Sequence, residues 1–172
     1  MIRTERLILR PWRAADLDGL AGMLADPEVM ADYGGPLDRE SAARKLDRYR
    51  EAYERRGFSR FAMTDPDGDF LGYVGIMPVD DGHPVAPGVE IGWRLVRRSW
   101  GSGLATEAAR ACLDRGFARH GFHEVLSYTE ATNLRSQSVM AKLNLERDPA
   151  RDFETVTDGH AWRGLVWVAR RP

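Results

Sequence analysis

Gly101 and Gly103 stand two residues apart in the run Arg98-Ser99-Trp100-Gly101-Ser102-Gly103, at the join between a strand-like stretch and a helical one. Upstream, Val89, Ile91, Trp93 and Leu95 alternate at the period of a strand. Downstream, Leu104, Ala108, Ala111 and Cys112 recur at helical spacing. A join without Cβ atoms can turn tightly, so the first N–H groups of the helix and the positive end of its dipole face outward. That is the chemistry of a phosphate seat. Arg98 either adds a charge-assisted contact there or stands as an ordinary surface arginine. The loop is not a dinucleotide fingerprint, because Thr106 replaces the third glycine, and no lysine follows to make a P-loop.

A second chemical candidate is Glu90, a carboxylate between Val89 and Ile91 in an otherwise apolar strand. Partly desolvated, it would suit the removal of a proton from a substrate; facing solvent or hydrogen-bonded, it would be structural. Glu107, in the first turn of the following helix, reads as a dipole-favouring structural carboxylate. The histidines His83, His120, His123 and His160 are scattered, and glycine separates the one close pair, so no metal site is expected.

The elements that must position these residues can be read in outline. Leu7-Ile8-Leu9 predicts a first strand, stopped by Pro11. Asp16 is expected to cap a helix whose Leu17, Leu20, Ala21 and Leu24 form one face, ended by Asp26-Pro27. Asp38 opens a longer helix closed by Gly57. Two strands, 58–64 and 70–77, flank the turn Asp65-Pro66-Asp67-Gly68. The Asp-, Gly- and Pro-rich stretch from Asp80 to Gly88 reads as a flexible connection. After the glycine loop come a helix to about Arg119, a strand over 125–129, a short helix over 135–143 and a last strand over 165–168. Strands with helices inserted between them indicate a mixed α/β sheet covered on both faces.

The chain has 172 residues, 43% hydrophobic and 30% charged, with a net charge of -1. It reads as one domain over 1–172, long enough for a real core. The charge balance gives no case for nucleic acid. No run approaches the roughly 20 apolar residues of a membrane span, and the charged N-terminus carries no signal core. A cytoplasmic protein is expected. The single cysteine, Cys112, lies on an apolar helical stripe and reads as a buried thiol.

About thirty residues beyond the glycine loop comes Asn133-Leu134-Arg135-Ser136-Gln137-Ser138-Val139-Met140-Ala141-Lys142-Leu143. Together with Arg98-x-x-Gly101-x-Gly103, it resembles the GNAT superfamily of acetyl-CoA-dependent N-acetyltransferases, and its form N-x-x-S-x-x-V-M-x-K-L looks like the RimJ/RimL-type branch. The opening Thr4-Glu5-Arg6-Leu7-Ile8-Leu9-Arg10-Pro11-Trp12, the Asp26-Pro27-Glu28-Val29-Met30 segment and the Asp152-Phe153 pair are similar to that branch too. The resemblance implies a mostly antiparallel sheet splayed between its fourth and fifth strands. It implies acetyl-CoA as co-substrate, an amine acceptor and, at family level, a homodimer. The pyrophosphate would sit on Gly101, Ser102, Gly103, Leu104, Ala105 and Thr106, with the pantetheine arm along the backbone of Leu95 and Val96. Asn133 would meet that arm from the other side or cap its helix. The tyrosine that protonates the departing thiolate in many relatives is replaced by Met140, which has no proton to give. Ser136 resembles the serine given that role in RimL-type enzymes; its alternative is a helix cap. Lys142 and Arg135 either approach the ribose phosphate of CoA or stand as solvated helix charges, and Trp93, Trp100 and Trp162 read as core or cleft wall. Rival readings are a catalytically silent CoA sensor or scaffold, and a regulator that binds another phosphate ligand.

Overall fold

A computed structural model of the chain describes residues 1–157 and 160–171, leaving out the side chains of 157, 160 and 162. The readings of His160 and Trp162 as side chains therefore lie outside the described residues. The strands are β1 (Ile2–Arg3), β2 (Ile8–Arg10), β3 (Arg60–Thr64), β4 (Phe70–Pro78), β5 (Val89–Leu95), β6 (Glu124–Glu130), β7 (Glu146–Arg147), β8 (Phe153–Thr157) and β9 (His160–Arg170). The helices are α1 (Leu17–Leu24), α2 (Arg39–Arg56), α3 (Leu104–His120) and α4 (Leu134–Lys142). One sheet runs β1-β2-β3-β4-β5-β6-β9-β7, with β8 paired to β9.

All of its pairs are antiparallel except one. β5 and β6 are parallel and share a single register pair, Glu90 with Leu126. Ser127 Oγ adds a bond to the Ile91 carbonyl at 2.9 Å. Beyond that point the strands part, so the sheet is a V with its apex near Glu90. In the sequence count these are the fourth and fifth strands, and the expected splay lies between them.

Packing explains why the central strands stand firm. β3 is buried at every position and β4 at all but its ends, so both faces of these strands are covered. On one face Ile91, Leu95 and Val125 meet Ala108, Cys112 and Leu113 of α3 and Met140 of α4. On the other, Tyr73 and Met77 meet Leu20 and Leu24 of α1 and Leu46 and Tyr49 of α2. Each fully buried leucine here contributes about 1.5–3 kcal/mol. A third cluster, Val79, Val85, Leu126, Phe153 and Val166, holds the 80–88 connection against the sheet. Cys112 is buried as expected, and burial pushes its thiol up to about 12.

Several local expectations need correction. Asp38 caps α2 by accepting from Ser41 N, and Gly57 ends it in the left-handed region. Asp16, however, does not cap α1 with its side chain. Its carboxylate accepts from Arg13 N and from both Nη atoms of Arg10, so it pins a 3-10 turn to the end of β2. The last strand is eleven residues long, not four, and forms a hairpin with β8, which the sequence reading did not anticipate.

Candidate active site

The parting of β5 and β6 opens a cleft of about 720 Å³. Trp93, Arg94 and Leu95 line it from β5, Gly101 and Gly103 to Thr106 from the loop and α3, and Asn133 to Ser136 from α4. At the start of α3, Gly101 (φ 75°) and Gly103 (φ 80°) occupy the left-handed region that favours glycine. The first bond of the turn is Glu107 N to the Gly103 carbonyl at 3.1 Å. The N–H groups of residues 103–106 are the four that helix geometry leaves unpaired, and those of Gly101 and Ser102 have no hydrogen-bond partner among the described residues either. A bare row of donors at a positive dipole end is what an anion needs. Glu107 is structural: it accepts from Thr4 Oγ1, Arg6 N and Arg6 Nε, tying the N-terminal segment to α3. Burial opposes its ionisation, but these donors hold the carboxyl below the usual glutamate value.

The neighbouring residues divide. Ser102 lies outside the cleft lining and turns its hydroxyl to the Ser99 carbonyl at 2.7 Å. Arg98 donates to the Phe70 carbonyl at 2.9 Å, also away from the cleft. Its side chain is thus in the surface reading, with a backbone anchor. Val96 gives its N–H to the Leu71 carbonyl and accepts from Ser99 N, so its backbone faces the protein. Alternation along β5 then turns the main-chain groups of Leu95 and Trp93 toward the open edge, with the Leu95 carbonyl already accepting from Trp100 Nε1 at 3.0 Å. The edge available to an extended ligand is shifted from Leu95 and Val96 to Trp93 and Leu95. Trp100 is cleft wall, and the Arg135 guanidinium lies over its ring at 4.1 Å. Lys142 lines the same end.

Across the cleft, Asn133 is the N-cap of α4, its Oδ1 accepting from Ser136 N at 3.1 Å. Its Nδ2 donates to Asp32 at 2.9 Å. Ser136 is thereby excluded as the cap, and it lines the cleft. Asp32, missed in the sequence, also pairs with Arg94 Nη1 at 2.7 Å, and Arg94 reaches the Val29 carbonyl as well. The segment after α1 is thus bonded to both sides of the V. A carboxylate shared between a strand arginine and a helix cap has no local sequence pattern that would reveal it.

Glu90 lies at the apex, on the face opposite Ile91 and outside the cleft lining. Its Oε1 is held by Arg60 Nη2, and both side chains are largely buried. Burial works against the Arg60 charge, yet the adjoining carboxylate holds the guanidinium above the ordinary arginine value. Of the alternatives open for Glu90 in the sequence, the carboxylate is both largely buried and hydrogen-bonded, as half of an ion pair. On the same face the His83 ring stacks on Tyr128 at 4.7 Å and meets Phe153 edge-on at 4.8 Å. Burial there lowers the imidazole pKa, with Glu90 and Asp80 opposing.

A bare N–H row, an open strand edge and a capped helix facing it can hold a phosphorylated, amide-bearing chain. The comparisons agree with that geometry. The family model described as the acetyltransferase (GNAT) domain matches residues 6–146. The Bacillus subtilis (strain 168) protein YkkB is 34% identical over 144 residues, 83% of each chain. The uncharacterized N-acetyltransferase p20 of Bacillus licheniformis is 30% identical over 155 residues, 88% of this chain and 85% of its own. The crystal structure of an acetyltransferase from Agrobacterium tumefaciens str. C58 superimposes with a TM-score of 0.83 at 27% identity, covering 99% of this chain and 94% of that one. The chain belongs to the acetyltransferase (GNAT) family and is an N-acetyltransferase.

Proposed function

We propose that the protein moves an acetyl group from acetyl-CoA to a primary amine, either a protein N-terminal α-amine or a small-molecule amine, in the manner of the RimJ/RimL-type branch. The observation that carries this reading is the unpaired N–H row of residues 101–106 at the wide end of the V. Gly101, Gly103, Leu104, Ala105 and Thr106 would hold the pyrophosphate through backbone N–H groups. The five-residue span from Leu95 back to Glu90 is about 17 Å, room for an extended arm to lie along the β5 edge toward the apex. Acetyl-CoA supplies an activated thioester; the protein orients it, and the co-substrate sets the reaction in the cytoplasm.

The amine nitrogen attacks the thioester carbonyl, a tetrahedral intermediate forms, and its collapse expels the CoA thiolate. Glu90 Oε2, the oxygen not held by Arg60, is the proposed proton acceptor, directly or through water. Ser136, free of the capping role and lining the cleft near the first turn of α4, is the proposed donor to the thiolate. Isothermal titration with acetyl-CoA, CoA, NAD and ATP tests the ligand class. Saturable binding of the first two with none of the others supports the reading; preference for NAD or ATP would overturn it.

A further inference from the structure

Three strands meet in a row at the apex: Arg60 of β3 opposite Gly75 of β4, and Gly75 opposite Gly92 of β5. Neither glycine carries a side chain, and the Arg60 side chain crosses that bare strip. Nη1 donates to the Gly75 carbonyl, and at 3.4 Å to the Glu90 carbonyl, while Nη2 donates to Glu90 Oε1. The fit at Gly92 is close. A Cβ there would stand 2.6 Å from Arg60 Nη2 and 3.5 Å from Glu90 Oε2. Glu90 Oε2 itself has no hydrogen-bond partner among the described residues. The fork thus fixes one carboxylate oxygen and leaves the other over Gly92, on the face of β5 that also carries the cleft-lining Arg94 two residues on.

We infer that Arg60 is a positioning residue for catalysis: laid across Gly75 and Gly92, it sets the rotamer of Glu90 so that Oε2 faces the reacting end of the cleft. This rests on the role of Glu90 proposed above. A planar guanidinium can bond a backbone carbonyl and a carboxylate at once, which the single ammonium of lysine does less well. Tyr49 of α2 and Tyr73 of β4 act electrostatically on Arg60, and His83 of the 80–88 connection feels Glu90 and Asp80; none of these four bonds the Glu90 carboxylate.

The experiment compares Arg60→Lys and Gly92→Ala with Glu90→Gln, alone and combined, by steady-state kinetics. Acetyl-CoA titration on the same preparations reports folding. Glu90→Gln should lower kcat on the order of 100-fold. Arg60→Lys should lower it by about tenfold or more with both KM values nearly unchanged, and should cost nothing further in the Glu90→Gln background. Gly92→Ala, which displaces only the tip of the guanidinium, should behave as Arg60→Lys does. Wild-type kcat in both Arg60→Lys and Gly92→Ala, with Glu90→Gln impaired, overturns the positioning role and spares Glu90. Equal losses from Arg60→Lys in both backgrounds overturn it too, because Arg60 would then act without Glu90. A silent Glu90→Gln overturns the base assignment, and the Arg60 inference falls with it.

Discussion

Asn133 Nδ2 donates to Asp32 at 2.9 Å, so the segment after α1 is tied to the cap of α4 across the mouth of the cleft. The same carboxylate holds Arg94, whose side chain is only 14% exposed. Asp32→Ala would remove the one carboxylate on that guanidinium and leave it the Val29 carbonyl and the Tyr73 side chain. A loss of about 1.5–3 kcal/mol is expected, the worth of a hydrogen bond to a charged group. Urea unfolding of wild type and variant measures it; identical midpoints would show that the bond contributes nothing.

Asn133 and Ser136 are three residues apart and should separate cleanly. Asn133→Ala removes the cap of α4 and should cost about 1 kcal/mol. Ser136→Ala removes no cap, so its melting temperature should match wild type while kcat falls about 10- to 100-fold. A Ser136→Ala enzyme with full kcat would leave water as the proton donor.

The phosphate seat makes a backbone prediction. Gly103 has φ 80°, and valine there would strain the turn by about 1–2 kcal/mol. Because the N–H row depends on that turn, Gly103→Val should weaken acetyl-CoA binding tenfold or more, about 1.4 kcal/mol. Calorimetry on folded variant decides it; wild-type affinity would place the phosphates elsewhere.

Features that depend on one residue type in one backbone state were legible in the sequence. Gly101 and Gly103 marked the turn, Asp38 and Gly57 marked the ends of α2, and 65–68 marked the hairpin. Partnerships across long stretches of chain were not. Arg60 and Glu90 are thirty residues apart and Asp32 and Asn133 are 101 apart, and nothing local to either residue names the other. The strand β8 was missed because its Phe153-Glu154-Thr155-Val156-Thr157 has only one fully buried apolar position, so its alternation is weak. The splay itself came from family resemblance, since periodicity cannot say which strands part.

Glu107 gives a pH dependence with a definite sign. Its carboxyl is held below the ordinary value of 4.5 by Thr4 and Arg6 against the effect of burial. The stability it adds is complete above that value and fades as pH falls through the lowered one. Glu107→Gln should therefore be less stable than wild type at pH 7, with the gap shrinking below about pH 4. Denaturant melts at both ends of the range test this; a gap that grows on acidification would contradict it.

Amine-dependent acetyl transfer is measured directly by the release of free CoA thiol from acetyl-CoA. The acceptors span N-terminal peptides, free amino acids, polyamines and aminoglycosides. Thiol release well above the amine-free rate is expected with at least one class, matched by acetylated amine in mass spectrometry and reduced in Glu90→Gln. Tight acetyl-CoA binding without amine-dependent release from any class would contradict it and leave a CoA-binding module that does not turn over.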